Sequence, residues 1–382
     1  MQSICAISGV EAWGVKEGKY GLALIRARGD AASVVTTNLV RAAPIELMRE
    51  RMQKGRLEAI VANSGCANAY TGDRGYEDAA RMCEIAGETL DVPADAVGVA
   101  STGVIGRYLD LPLIEAQCRA VAPGLASSEE AEIRAAQAIM TTDTKQKHAL
   151  VRREGFAVGG ITKGSGMIAP MMGTMLAFVY TDAAIGASDL REALKIAARR
   201  TFNRVVVDEM STNDILFCTA TGEAGRVSAR EFAPALEECC RSLAVQIAAD
   251  GEGATKLVEV QVQGAPDEEG AADVARTVVA SPLVKTAIYG EDPNWGRVIA
   301  AAGRAGVDFD PGAASLWIGE GEGRIPLILK GRIAADLPAA KAAMLGRKVI
   351  FSLDLGAGSG EATAWGCDLT EGYVEINGRY TT

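Results

Sequence analysis

The sequence predicts a mixed α/β fold in which antiparallel sheets are covered by helices. Short apolar runs alternate with longer helical periods along all 382 residues. In KLVEVQVQG (256–264) the alternation is strict: Val258, Val260 and Val262 point one way, and Leu257, Glu259, Gln261 and Gln263 the other. This is the pattern of a half-solvated strand. Strands and helices do not follow one another as a clean βαβ series, which favours antiparallel pairing. Hydrophobic residues make up 48% of the chain and charged residues 23%, so a packed interior is expected and wholesale disorder is not.

Taken in order, YGLALIRA (20–27) and ASVVTTN (32–38) read as two paired strands. PIELMRERMQKG (44–55) opens on Pro in the first turn and closes on Gly, as helices do. EAIVANSG (58–65) is a strand running into a glycine turn, YEDAARMCEIAGETL (76–90) a helix, and VGVASTGVIG (97–106) a strand breaking at a second glycine turn. Helices follow near 112–122 and 128–140. Strands at 156–164 and 174–182 flank an uncharged loop; then come a helix at 190–202, a strand at 214–222 and a long helix at 232–250. Helices near 270–280, 293–303 and 335–345 and strands near 314–318, 349–355 and 371–377 complete the pattern. The polar stretch QGAPDEEGAAD (263–273) suggests a smaller C-terminal subdomain from about 265 to 382.

Composition removes several classes of function. The net charge is −10 and no polybasic block occurs, so neither nucleic acid nor an anionic membrane is an expected partner. His148 is the one histidine, which rules out a multi-histidine metal site and is read as an ordinary structural or surface residue. The eight cysteines show no C-x-x-C spacing. With a first segment unlike a secretory signal, they are expected as reduced thiols of a cytoplasmic protein. Residues 164–181 carry no charge but fall short of a membrane span and contain glycine and proline, so a buried loop entering a strand is expected.

Glycine-rich stretches are weak signals here. In LGAGSGEA (355–362) Glu361 occupies the place of the last glycine of a dinucleotide fingerprint, and DGEGATK (250–256) lacks the P-loop pattern. KGSGMIAPMMGTMLAF (163–178) says more. One reading is a loop feeding a buried strand. The other is a self-cleaving Gly173–Thr174 bond: the threonine hydroxyl attacks the preceding carbonyl, an ester forms by N→O acyl shift, and water releases it. Thr174 then supplies both a nucleophile and, through its α-amine with an ordinary pKa of ~7.7–8.0, a base. That chemistry needs no histidine.

KGSGMIAPMMGTMLAF closely resembles the self-cleavage region of the ornithine acetyltransferases of arginine biosynthesis, also called glutamate N-acetyltransferases. The resemblance extends through NSGCANAYTG (63–72), STGVIG (101–106), MTTDT (140–144), STNDILF (211–217), DGEGATKLVEV (250–260), LVKTAIYGEDPNWGR (283–297) and AWGCDLTEGYVEINGRYTT (364–382). It implies that Thr174 is the nucleophile, that Thr102 and Gly103 form the oxyanion hole, and that Thr141, Lys163, Thr174, Glu252, Asn377 and Thr382 bind substrate. Lys163 suits a substrate carboxylate, and Glu252 the side-chain ammonium of ornithine. Cys66 receives no role.

The implied fold is a layered αββα sandwich resembling the N-terminal-nucleophile hydrolases, in the aminopeptidase/ornithine-acetyltransferase variant. The implied reaction moves an acetyl group from N-acetyl-L-ornithine to L-glutamate through acetyl-Thr174. An α chain (1–173) and a β chain (174–382) would arise by cleavage and assemble as α2β2. No metal or organic cofactor is implied, and acetyl-CoA enters only as a co-substrate of bifunctional members. The rival readings are an N-terminal-threonine aminopeptidase or amidase on the same scaffold, with water as acceptor, and a noncatalytic metabolite-binding protein.

Overall fold

A computed structural model describes residues 3–168 and 175–379. The chain divides into two compact units, one within Met1–Asn203 and Met210–Leu243, the other within Arg204–Glu209 and Ala244–Tyr380. Each is built on one β-sheet with helices, so the α/β class expected from the sequence holds.

The strands of the chain are, in order, β1 (Glu11–Glu17), β2 (Tyr20–Val35), β3 (Arg56–Cys66), β4 (Val97–Val104), β5 (Lys147–Arg153), β6 (Phe156–Lys163), β7 (Leu176–Ala184), β8 (Val205–Val206), β9 (Ile215–Arg226), β10 (Leu257–Ala265), β11 (Ser315–Ile318), β12 (Ile325–Leu329), β13 (Arg332–Ile333), β14 (Lys348–Asp354) and β15 (Gly360–Cys367). The first unit holds an eight-stranded sheet ordered β4-β3-β2-β9-β7-β6-β5, with β1 paired to β2. Its pairings are mixed rather than purely antiparallel: β3 runs parallel to β4, and β7 parallel to β9. The second unit holds a seven-stranded sheet ordered β13-β12-β11-β14-β10-β15-β8, in which β10–β14 and β15–β8 are parallel.

Two expected elements differ. The strands read at 20–27 and 32–38 are one long strand, β2, because the RARGD stretch between them is absorbed as a bulge in the pairing with β3 at Arg26–Gly29. The strand read at 371–377 is a helix, Glu371–Arg379. Here the Thr370 hydroxyl accepts from the Tyr373 N–H at 3.3 Å and Glu371 stands in the first turn, so capping outweighs the β-branched and aromatic composition.

Packing brings the last turn of the helix Glu129–Ile139 against β2 and β3. A Cβ at Gly21 would lie 2.2 Å from the Ala138 carbonyl oxygen, so glycine is what permits this approach. The Ser64 hydroxyl seals it by donating to the same carbonyl at 2.7 Å. His148, on β5, is a packing residue: Nδ1 lies 3.0 Å from the Ser3 hydroxyl and Nε2 3.2 Å from the Gln146 side-chain oxygen. All eight cysteines are free and buried, as expected. Among the described residues no helix is long and apolar enough to cross a membrane.

Candidate active site

Thr102 and Gly103 close β4, where it runs parallel to the end of β3 with Ser64 opposite Thr102 and Gly65 opposite Gly103. Gly103 has φ +133°, and a Cβ there would meet the Gly65 carbonyl carbon at 2.4 Å and the Cys66 nitrogen at 2.6 Å. Only glycine fits this backbone, and the pairing with β3 shifts register here, between Gly65 and Cys66. Asn213 ties the two strand ends, donating to the Ala67 carbonyl at 2.6 Å and the Ser101 carbonyl at 2.9 Å.

Lys163, the last residue of β6, is buried and donates from Nζ to the Thr102 hydroxyl oxygen at 3.2 Å. A residue 61 positions away is thereby set against Thr102. In the antiparallel pairing of β6 with β7, Lys163 stands opposite Leu176, two residues past Thr174. Residues 169–174 lie outside the described set, and with them Gly173 and Thr174; Thr382 does too. The chain that follows them is firmly held. Met175 donates its N–H to Asp214 Oδ1 at 2.8 Å and accepts from the Ile215 N–H at 3.2 Å.

Thr141 lies in the turn after the helix Glu129–Ile139, and Asp143 organises that turn. Its fully buried carboxylate accepts from Lys147 Nζ at 2.7 Å, the Gly164 N–H at 2.6 Å and the Thr141 N–H at 3.1 Å. Burial alone would raise its pKa; the charges of Lys163 and Lys147 outweigh burial and hold it to about 2. Asp143 therefore links Thr141 to the Lys163–Gly164 turn.

Asp214 behaves oppositely. Complete burial pushes its carboxyl well above the usual range, against the pull of the Met175 N–H, Lys163 and the Thr36 hydroxyl. Its Oδ2 has no hydrogen-bond partner among the described residues. Asp143, Asn213 and Asp214 sit inside the motifs MTTDT and STNDILF, yet nothing in those strings assigns them a task. The available signal was that each is a small polar residue amid buried apolar sequence.

In the second unit the structure joins Glu252 and Asn377, 125 residues apart, through a 2.8 Å bond from Asn377 Nδ2 to Glu252 Oε2. The loop carrying Glu252 is fixed to the chain before the helix Glu371–Arg379. The Thr370 hydroxyl donates to the Gly253 carbonyl at 2.7 Å, and Asp368 accepts from the Thr255 and Lys256 N–H groups at 2.8 and 2.9 Å.

Over residues 7–382 the chain matches the ArgJ family. It is 50% identical to a glutamate N-acetyltransferase of Methanosarcina mazei, over 99% of this chain and 98% of that relative. It belongs to the ArgJ family. A second relative of this ArgJ chain, the arginine biosynthesis bifunctional protein ArgJ of Symbiobacterium thermophilum, is 49% identical over 96% of this chain and 93% of its own length. Among solved structures, the arginine biosynthesis bifunctional protein argJ from Bacillus halodurans is similar with a TM-score of 0.50 and 41% identity, covering 52% of this chain and 96% of that one.

Proposed function

We propose that the protein transfers an acetyl group from N-acetyl-L-ornithine to L-glutamate in arginine biosynthesis, with Thr174 as nucleophile after self-cleavage at Gly173–Thr174. The observation that carries this reading is the convergence on one strand end of Thr102, the Gly103 turn and Lys163, with Lys163 paired to the strand that starts just past the junction. Membership in the family supports it. So does the matched solved chain, which is about half as long as this one, as a processed fragment would be.

In the first half-reaction the Thr174 hydroxyl attacks the acetyl carbonyl and its proton passes to the Thr174 α-amine. The new C–O bond forms, the C–N bond breaks, and the departing ornithine nitrogen takes the proton. Thr102 and the Gly103 N–H stabilise the oxyanion, a contribution of ~3–4 kcal/mol in comparable sites. In the second half the α-amine of glutamate attacks acetyl-Thr174, gives its proton to the Thr174 amine, and the threonine oxygen recovers it. Thr141, Lys163, Glu252, Asn377 and Thr382 are the residues that bind substrate in this reading. The mature enzyme is then an α chain (1–173) and a β chain (174–382) in a cytoplasmic α2β2 assembly, and no cofactor enters the cycle. Acetyl-CoA serves as a second donor if the chain is bifunctional, which direct assay of glutamate acetylation decides.

The test is Thr174→Ala. Wild-type protein should run as two pieces, the second beginning Thr-Met-Leu-Ala-Phe, and should release ornithine from acetylornithine with glutamate as acceptor. The variant should stay one chain and be inactive. A variant that still splits, or transfers at the wild-type rate, removes Thr174 from the mechanism; release to water with no gain from glutamate would make the protein an amidase.

A further inference from the structure

Lys16, on β1, belongs to none of the motifs above, yet its ammonium reaches β3 at the residue paired with Thr102. Nζ donates to the Ser64 hydroxyl at 2.8 Å and to the Met140 carbonyl. Ser64 is the register partner of Thr102, and Met140 immediately precedes Thr141. Thr102 takes Lys163 Nζ at 3.2 Å. Two ammonium groups therefore attach to neighbouring residues of β3 and β4. Both partners of Lys16 are neutral, and an ammonium has three donors, so one N–H remains beyond these two bonds.

The charged groups facing Lys16 are Lys163, from β6, and Asp143, from the turn after the helix Glu129–Ile139; Ser64 and the Met140 carbonyl are uncharged. Asp143 is engaged by Lys147, Gly164 and Thr141. Lys16, Lys147 and Lys163 thus face Asp143, and Lys163 faces Asp214 as well; three cations against two carboxyl groups leave an excess that suits an added anion.

We infer that Lys16 selects the acceptor amino acid by binding the side-chain carboxylate of glutamate. This rests on the reading of the reaction given above. Donor and acceptor share an α-nitrogen and an α-carboxylate and differ at the far end, where ornithine carries an ammonium and glutamate a carboxylate. A single fixed charge cannot favour both: a glutamate such as Glu252 that attracts the first repels the second. The acceptor requires a further cation beyond the one that holds the common carboxylate. Lys16 stands beside Thr102 and Thr141, with uncharged partners and a donor to spare. Burial and the Lys163 charge, opposed by Asp143, lower its pKa to about 8, so its charge is lost within the working pH range of the assay.

The experiment compares glutamate with glutamine, an acceptor of the same shape without the charge, in the mature enzyme with acetylornithine as donor. Lys16→Met should lower the glutamate-to-glutamine ratio of kcat/KM at pH 7 by ~10-fold or more, chiefly through the KM for glutamate. Lys16→Arg should hold the ratio within ~3-fold of wild type, because the charge is kept. In wild type the ratio should fall ~10-fold between pH 7 and pH 9, since one unit above the pKa about a tenth of the groups remain charged; in Lys16→Met it should be flat. A ratio in Lys16→Met within ~2-fold of wild type, or an equal loss for both acceptors, overturns the inference. Should Lys16→Met fail to fold, the wild-type profile decides, and a flat ratio refutes the role. Ornithine release from acetylornithine alone separates the two readings: its absence in wild type, or its persistence in Thr174→Ala, sinks the reaction itself and not the assignment of Lys16 within it.

Discussion

Replacing Asp143 with alanine removes an anion on which three donors converge: Lys147 Nζ, the Gly164 N–H and the Thr141 N–H. Two estimates bound the cost. The carboxyl is held at about 2 against an ordinary 3.8; a difference of that size corresponds to roughly 2 kcal/mol favouring the charged form in the folded state. Alanine also leaves Lys147, whose side chain is 1% exposed, without its carboxylate, and breaking a buried ion pair typically costs ~3–5 kcal/mol. The expected loss is therefore ~2–5 kcal/mol.

The pH dependence has a definite sign. A carboxyl with a lowered folded pKa contributes its full stability above the unfolded pKa and loses it as pH falls through the folded one. The difference between wild type and Asp143→Ala should be constant from pH 7 to 5 and shrink as pH falls from ~4 to ~2. Urea denaturation followed by circular dichroism at several pH values measures both. A difference below ~1 kcal/mol at pH 7, or one that persists undiminished to pH 2, would refute the argument that this carboxylate is charged and structural. Activity should fall ~10-fold or more as well, because Asp143 holds Gly164, next to Lys163, and Thr141 in place.

Lys163→Ala should lower kcat/KM by ~10-fold or more, ~1.4 kcal/mol, since it strips Thr102 of its buried donor and removes the cation proposed to meet a substrate carboxylate; steady-state kinetics with a loss under ~2-fold would dismiss that role. Gly103→Ala forces a Cβ to within 2.4 Å of the Gly65 backbone at φ +133°. The turn must move, and kcat should drop ~10²–10³-fold as the proposed oxyanion donor is misaligned; an unchanged kcat would take Gly103 out of that role.

Much of the fold was legible because local patterns reported it. Alternation in 256–264 found β10, and Pro44 and Gly55 bracketed the helix that begins at Ala43 and the turn after it. The failures fall where a local signal competes with a distant one. Gly29 looks like a turn, but β3 and β9 flank β2 and carry it straight through as a bulge. EGYVEIN (371–377) looks like a strand, but its N-terminal cap makes it a helix. Parallel pairings such as β3–β4 and β7–β9 leave no trace at short range, since their partners are set by packing across the whole sheet.

The sequence by itself determined the chemistry on offer: one histidine, a Gly173–Thr174 pair before an apolar strand, and ordered motifs that place the chain in its family. Those are matters of residue type and spacing, which a string of letters contains. Tertiary structure alone decided which groups meet. Lys163 lies 61 residues from Thr102, Asn377 125 from Glu252, and Lys16 48 from Ser64, yet each pair is in hydrogen-bond contact. Sheet register and helix-on-sheet packing bring them together, and the surroundings then shift Asp143 and Asp214, one residue type, in opposite directions: lysine charges hold the first carboxyl down, and desolvation pushes the second up.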